Sequence, residues 1–336
     1  MKTLFKLFLE RIGWKNLSYP VPAHSNTLAY SLGGITLIGF FILIASGIFL
    51  AQYYNPSPEE ANQSVNYIAK NVYLGWFIRG LHFWSAQLVI VCISLHLIRI
   101  FVTASFKNPR EINWISGVIL LGITGGFIFT GTVLKWDQEA YEALEHNFWV
   151  AKKLGPFGFI LSDVFTKSVS LLGRLYGIHT SFLPIIFFPL IGLHLYLQKL
   201  HGLSKKPTEN NDNNIIPFTD HLKHLTIYGV SVLALIATLS SIILPPLGDK
   251  PVIGIEVTKP PWMFLWIFTL ENIWVPSLIF APLVLFALLF MVPFFESNNI
   301  TSFQQRKLPI IIFTVCLLVL VSLIIIGLFS TAGHSM

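Results

Sequence analysis

The sequence predicts an all-α integral membrane protein: about seven transmembrane helices, four in a bundle followed by a three-helix part. Three observations lead there. Hydrophobic residues make up 54% of the chain and charged residues only 11%, where a soluble domain carries about a quarter charged residues. The apolar residues come in blocks, and roughly 20 of them in a helix cross a bilayer. Most of the charges fall between those blocks.

The blocks lie near 31–53, 76–103, 114–134, 175–199, 225–245, 275–295 and 308–330. Backbone polar groups in lipid must be satisfied within the segment, so these are helices. An odd number of spans puts the termini on opposite sides. Lys2, Lys6, Arg11 and Lys15 precede the first span, and Lys107 with Arg110, Lys205 with Lys206, and Arg306 with Lys307 fall on the same side. The positive-inside rule makes that side cytoplasmic, in a cell inner membrane. Leu4, Phe5, Phe8, Leu9 and Ile12 alternate with charges as in a surface-lying helix near residues 3–14. The net charge of +6 therefore belongs to membrane topology, and no nucleic acid is expected as a partner. The two cysteines, Cys92 and Cys316, sit in apolar runs and imply no disulfide framework.

The domain plan follows from one polar stretch. Residues 1–204 hold four spans, 205–222 read as a cytoplasmic linker beginning with Lys205–Asn214, and 223–336 hold three spans. The outer connections 135–174 and 246–274 are long, which marks functional segments. The first has a weakly amphipathic stretch at Phe159–Leu172; the second is rich in Pro and Gly.

Histidines carry the chemistry. His82 and His96 are fourteen apart in the second span, and His179 and His194 fifteen apart in the fourth. At about 100° and 1.5 Å per residue, each pair returns to within roughly 40–60° of one face, separated by roughly 21–22 Å. Both helices run the same way, so His82 is level with His179 and His96 with His194. Two haems, each between two imidazoles, fit these levels. One histidine alone would equally serve as hydrogen-bonding glue or a proton relay; two matched pairs are the distinguishing feature. Gly33 and Gly47, and Gly117 and Gly131, repeat the fourteen-residue step and offer shallow faces at the same depths, although glycine also serves plain helix packing. Arg79, Arg99 and Arg174 stand near the histidines, where they suit haem propionates or simply snorkel. His24, His146, His221, His224 and His334 read as polar loop residues.

The runs Arg79-Gly-Leu-His82, His96-Leu-Ile-Arg99, Lys107-Asn-Pro-Arg110-Glu111, Trp114-Ile-Ser-Gly117-Val118 and Arg174-Leu-Tyr-Gly-Ile-His179 resemble the cytochrome b/b6 family over almost the whole chain. Tyr30-Ser-Leu-Gly-Gly-Ile-Thr36 and Pro293-Phe-Phe-Glu-Ser-Asn298 are similar to its chloroplast and cyanobacterial branch, whose four-helix and three-helix parts would here be fused. The resemblance implies two non-covalent haem b groups, quinol oxidation on the outer side and quinone reduction on the inner. It also implies a Rieske iron–sulfur partner, a c-type cytochrome subunit and a homodimeric complex. Ser31 stands where that branch has the cysteine that attaches an extra haem, so no covalent haem is expected. The outer quinol site falls on Pro260-Pro261-Trp262-Met263, where the family's Pro-Glu-Trp-Tyr has a proton-accepting glutamate. Pro261, Trp262, Met263 and Glu271 are the expected outer-site residues, with Glu271, Glu256, Asp137 or Glu139 as replacement acids. His201 and Asp220 are the expected inner-site residues, unless His201 is a solvated helix end and Asp220 a cap. Two other classes are compatible with histidines in membrane helices. A haem b anchor of a formate dehydrogenase or hydrogenase would lack the matched pairs, glycine repeats and Pro-Pro-Trp loop, and a proton-relaying transporter would bind no haem.

Overall fold

A computed structural model describes residues 2–11, 13, 18–155, 158, 165–166, 168–204, 214–298 and 300–331. Helix α1 is Lys2–Arg11, and a short strand β1, Pro20–Pro22, leads into the first long helix, α2 (Leu28–Ala51). Then come α3 (Ala61–Lys70), α4 (Gly75–Val102), α5 (Glu111–Leu134), α6 (Gln138–Lys153), α7 (Leu171–Gly177) and α8 (Leu183–His201). Strand β2 (Ile215–Pro217) precedes α9 (Phe218–Ile242), α10 (Leu265–Glu271), α11 (Ser277–Phe295) and α12 (Lys307–Phe329). With α7 and α8 counted as one span, seven helices among the described residues are long and apolar enough to cross a membrane, and they match the seven expected blocks. The fold is a multi-pass helical membrane protein.

One boundary differs from expectation. Helix α9 starts at Phe218, so 218–222 are helix and not linker. Pro217 cannot continue a helix backwards, and Asp220 sits in the first turn where the helix dipole favours an acid. His221 and His224 are consequently helical, not loop residues. The rest of the linker, 205–213, lies outside the described residues, as do 159–164 and His334.

Helix α8 joins α7 through a wider π turn, Ile178–Phe182, with Pro184 just after it. Proline lacks the N–H of the usual i−4 bond, and a π turn accommodates one extra residue. This accounts for the fifteen-residue step in a helix that matches a fourteen-residue partner.

The core is layered along the bundle. At mid-depth Phe40, Val89, Leu120 and Phe187 form a closed apolar cluster. At the loop end Ala61, Val133, Trp136, Leu144, Leu171, Leu172 and Leu175 bind α3, α6 and α7 to the bundle. At the opposite end Phe101, Phe106, Trp114 and Val118 pack against residues of α11 and α12, among them Phe286 and Phe313.

The C-terminal spans join the first four by specific contacts. Helix α9 lies against α2 and α4, and a Cβ at Gly80 would come within 2.8 Å of the Ser240 Cβ. Trp114 Nε1 donates to the Leu289 carbonyl at 2.7 Å. Strands β1 and β2 pair antiparallel, Pro20 opposite Pro217.

Arg306, 1% exposed, makes the strongest tie. Its Nε and a terminal nitrogen each donate to one Glu296 oxygen at 2.7 Å, and its terminal nitrogens also donate to the Val102 and Phe101 carbonyls at the end of α4. Lys107 completes the cluster through Asn298 and the Ile300 carbonyl, both at 2.7 Å. The Lys107–Arg110 and Pro293–Asn298 runs, far apart in sequence, thus meet. Arg306→Met would strand the buried Glu296 and should cost about 3–5 kcal/mol; reversible unfolding in mixed micelles measures it. A loss within error of zero would show that the bridge does not hold the two parts together.

Candidate functional site

The four histidines of α4 and α7–α8 point into the bundle, each facing a glycine. A Cβ would lie 3.0 Å from His96 Cε1 if built on Gly33, and 3.2 Å from His82 Cε1 if built on Gly47. On α5, a Cβ at Gly117 would lie 3.2 Å from His194 Cε1, and one at Gly131 would lie 3.1 Å from His179 Cε1. The fourteen-residue glycine step therefore gives each imidazole its room.

Hydrogen bonds orient three of the rings. Ser46 donates to the Ile42 carbonyl at 2.6 Å, leaving its lone pair for His82 Nδ1 at 3.1 Å; the Leu43 carbonyl also accepts from that nitrogen at 3.1 Å. Thr130 donates to the Gly126 carbonyl and faces His179 Nδ1 at 2.8 Å. Ser116 donates to the Asn113 carbonyl and faces His194 Nδ1 at 2.9 Å. In each case the hydroxyl proton is already committed, so Nδ1 carries the hydrogen and Nε2 keeps a bare lone pair, the state a metal ligand requires. Each of these hydroxyls directly precedes a glycine of the repeat, a signal the sequence reading did not use. Leu32 precedes Gly33, and there His96 Nδ1 is buried with no hydrogen-bond partner.

The His82 and His179 ring centroids are 6.5 Å apart, and His96 and His194 are close enough to interact electrostatically. Two imidazoles joined through one metal by bonds of roughly 2 Å would stand roughly 6 Å apart, centroid to centroid. Among the described residues no three His, Cys, Asp or Glu converge as a metal cluster. A site with two protein ligands suits a metal that brings its remaining donors with it, as a porphyrin does. The residues present fit haem.

The arginines are placed variously. Arg79 donates to the Pro245 and Pro246 carbonyls at 3.0 and 2.7 Å, tying α4 to the loop after α9. Arg99 stacks on Tyr30, 3.9 Å from the ring centroid, and its buried Nε has no hydrogen-bond partner. Arg174 lies over Phe165. Ser31 is buried and donates to the Ser25 carbonyl.

On the loop side, Trp262 Nε1 donates to Gln87 Oε1 on α4 at 2.7 Å, bringing the Pro261–Met263 segment against the bundle. Glu271, 5% exposed, ends α10 and bonds His146 Nδ1 at 2.8 Å; Glu256 stands 3.5 Å from the other ring nitrogen. His146 is accordingly no ordinary loop residue. It lies on α6, which Asp137 caps by accepting from the Ala140 N–H. Burial disfavours the charged imidazole, but the Glu271 hydrogen bond and the charges of Glu271, Glu256 and Glu142 outweigh it and raise its pKa. Glu142 anchors the loop, accepting from Val257 and Thr258 N–H, both at 2.9 Å, and from the Thr258 hydroxyl. Burial would push its carboxyl up; the hydrogen bonds of Thr258, Val257 and Gln138 hold it below the usual range. Asp137 accepts from the Gly248 N–H, and Glu139 pairs with Lys135.

On the opposite side, the His201 carbonyl accepts from Arg110 at 3.0 Å, and Asp220 pairs with Lys223 at 2.7 Å. No hydrogen bond joins His201 to Asp220 among the described residues. Two histidines missed in the sequence are built in nearby: His24 bonds the Ser204 carbonyl at 2.9 Å and His221 bonds Asn26 at 3.1 Å.

Comparison with known proteins settles the family. The family model for cytochrome b/b6/petB matches residues 16–202. The chain belongs to the cytochrome b/b6 family. As a cytochrome b it is a haem-carrying electron-transport protein of membranes. Cytochrome b6 of Heliobacterium modesticaldum is 37% identical over 200 residues, 58% of this chain and 94% of that protein. Cytochrome b6 of Mastigocladus laminosus is 38% identical over 213 residues, 61% of this chain and 99% of that one. A solved structure, a hyperthermophilic respiratory Complex III, superposes with TM-score 0.82 at 26% identity, covering 97% of this chain and 91% of its own.

The loop-side anchors make a pH prediction for this cytochrome b. The Glu142 contribution is present above about 4.3, the ordinary glutamate value, and is lost as pH falls through its depressed pKa. The His146 contribution is fully present below about 6.5 and is lost as pH rises through its raised pKa. Hydrogen exchange at Val257 and Thr258, corrected for intrinsic rate, should be slowest between these limits. Glu142→Gln should speed it at neutral pH by an amount equivalent to about 2 kcal/mol. Equal protection in the variant would mean that Glu142 does not fasten the loop.

Proposed function

We propose that this chain is the dihaem, quinol-oxidising subunit of a bc-type complex, with His82 and His179 holding one haem iron and His96 and His194 the other. The observation that carries the reading is the repeated unit of imidazole, glycine and hydroxyl at two depths, with Nε2 left bare. When bound, haem supplies one-electron redox chemistry at both levels. The protein residues hold the rings, exclude water through the Phe40, Val89, Leu120 and Phe187 cluster, and give cationic surroundings through Arg99 and Arg174. Gly33, Gly47, Gly117 and Gly131 keep the approach open.

Quinol is oxidised on the loop side, at a site built from Pro261, Trp262 and Met263 with Glu271 at the other end of α10. One electron goes to a Rieske iron–sulfur protein and on to a c-type cytochrome or plastocyanin-like acceptor. The other crosses to a quinone-reducing site near His201 and Asp220, contributing to a proton gradient. The chain sits in the cytoplasmic membrane with its N-terminus inside and works in a homodimeric complex. Ser31 allows no thioether, so the haems are non-covalent. The superposition with a respiratory Complex III over nearly the whole chain supports this over an anchor subunit or a transporter.

A reduced-minus-oxidised spectrum with haem quantified as pyridine haemochrome should give two b-type haems per chain. His82→Ala or His194→Ala should lower that count, and Gly47→Val, which pushes on His82, should do the same while the chain still inserts. One haem or none in the unaltered protein would refute the paired-ligand scheme.

A further inference from the structure

Quinol oxidation releases protons, and none of the side chains of Pro260, Pro261, Trp262 and Met263 can take one. The acceptor must be another group of the loop side. Three titratable side chains there form one connected line. Glu256 lies four residues before Pro260 and Glu271 eight residues after Met263, and both converge on His146 from α6. The distances are 2.8 Å from His146 Nδ1 to Glu271 and 3.5 Å from Nε2 to Glu256. Glu271 is the most buried of the three, its side chain 5% exposed against 19% for His146 and 11% for Glu256, and Ile255 and Val257 beside Glu256 are 43% and 60% exposed. Glu142, one turn earlier on α6, is the other charge that His146 feels. The two remaining acids considered as replacements are committed elsewhere, Asp137 to backbone N–H groups of Ala140 and Gly248 and Glu139 to Lys135.

We propose that Glu271, His146 and Glu256 form the proton exit of the loop-side quinol site, with Glu271 as the first acceptor and Glu256 as the outlet. The inference rests on the proposed quinol oxidation at Pro261–Met263. Quinol gives up two protons with its two electrons: each O–H bond breaks in turn, and each time an O–H bond forms on the Glu271 carboxylate. A proton leaves the line from Glu256 to water, with His146 bridging the two carboxylates, so the three groups return to their starting charge. The electrons go to the iron–sulfur protein and across the membrane, as in the parent reaction. A cationic imidazole between two carboxylates leaves one net negative charge, which favours capture of a proton in a half-buried place.

The test uses the assembled complex, with a short-tail naphthoquinol and a short-tail benzoquinol as probes, across the titration range of histidine. Glu271→Gln and His146→Gly should each lower kcat by on the order of 10²-fold, with little change in KM, and flatten the rising limb of the pH profile. Added imidazole should restore His146→Gly, which a merely structural histidine would not allow. Glu256→Gln should slow turnover, and Glu145→Gln, one residue away on α6, should not. Redox-difference infrared spectra of the unaltered complex should show a protonated-carboxyl band on quinol oxidation, a readout that needs no variant to fold. Normal haem bands and quinol turnover with indifferent variants, or a pH-independent rate without that band, would overturn the proton exit alone. Unaltered protein without haem or quinol turnover would overturn the parent reading, and this proposal with it.

Discussion

Space for an imidazole inside a helical bundle is the constraint on which this structure turns. A histidine projecting from α4 or α8 meets the backbone of a neighbouring helix, and any side chain at the facing position would occupy the volume the ring needs. Glycine at four places removes that conflict. A buried ring nitrogen without a partner costs about 1–3 kcal/mol, and a hydroxyl one residue before the glycine answers it at three of the four places. The same arrangement decides the tautomer, so packing and ligand chemistry are satisfied by one short sequence unit. His96 is the exception, with Leu32 where the hydroxyl would be.

The two levels are separated by an apolar middle and closed by differently built ends. At the loop end the long connections fold back as α3, α6 and α10, and Glu142 and Arg79 fasten backbone that would otherwise face the bilayer surface unsupported. The opposite end is closed by aromatic packing and by Arg306 with Glu296. Such a buried charge pair is expensive to desolvate; here all three guanidinium nitrogens donate, to Glu296 or to the end of α4.

What could be read from the sequence follows from the length scale of each signal. Seven apolar blocks and the pairing of His82 with His179 depend on composition and helical periodicity, and both are local. The glycine step at Gly33, Gly47, Gly117 and Gly131 is legible for the same reason. Helix α6 escaped because its residues are mixed in polarity, although Asp137 at its start and Lys152 with Lys153 at its end are fair capping signals. His146 was misread because its partners are remote: Glu271 lies 125 residues on, and no spacing rule reaches that far. Arg79 shows the same limit, since its carbonyl acceptors follow α9.

Helix α8 and helix α9 are joined through a polar stretch, yet the structure is held together elsewhere. Arg306 grips the end of α4, Trp114 reaches α11, β1 pairs with β2, and α9 beds against Gly80. A tether between two such surfaces acts by raising their effective concentration, to about the millimolar range for short links. The grip itself lies in side chains and strand pairing at both ends of the bundle, so it is spread over several independent points of the fold.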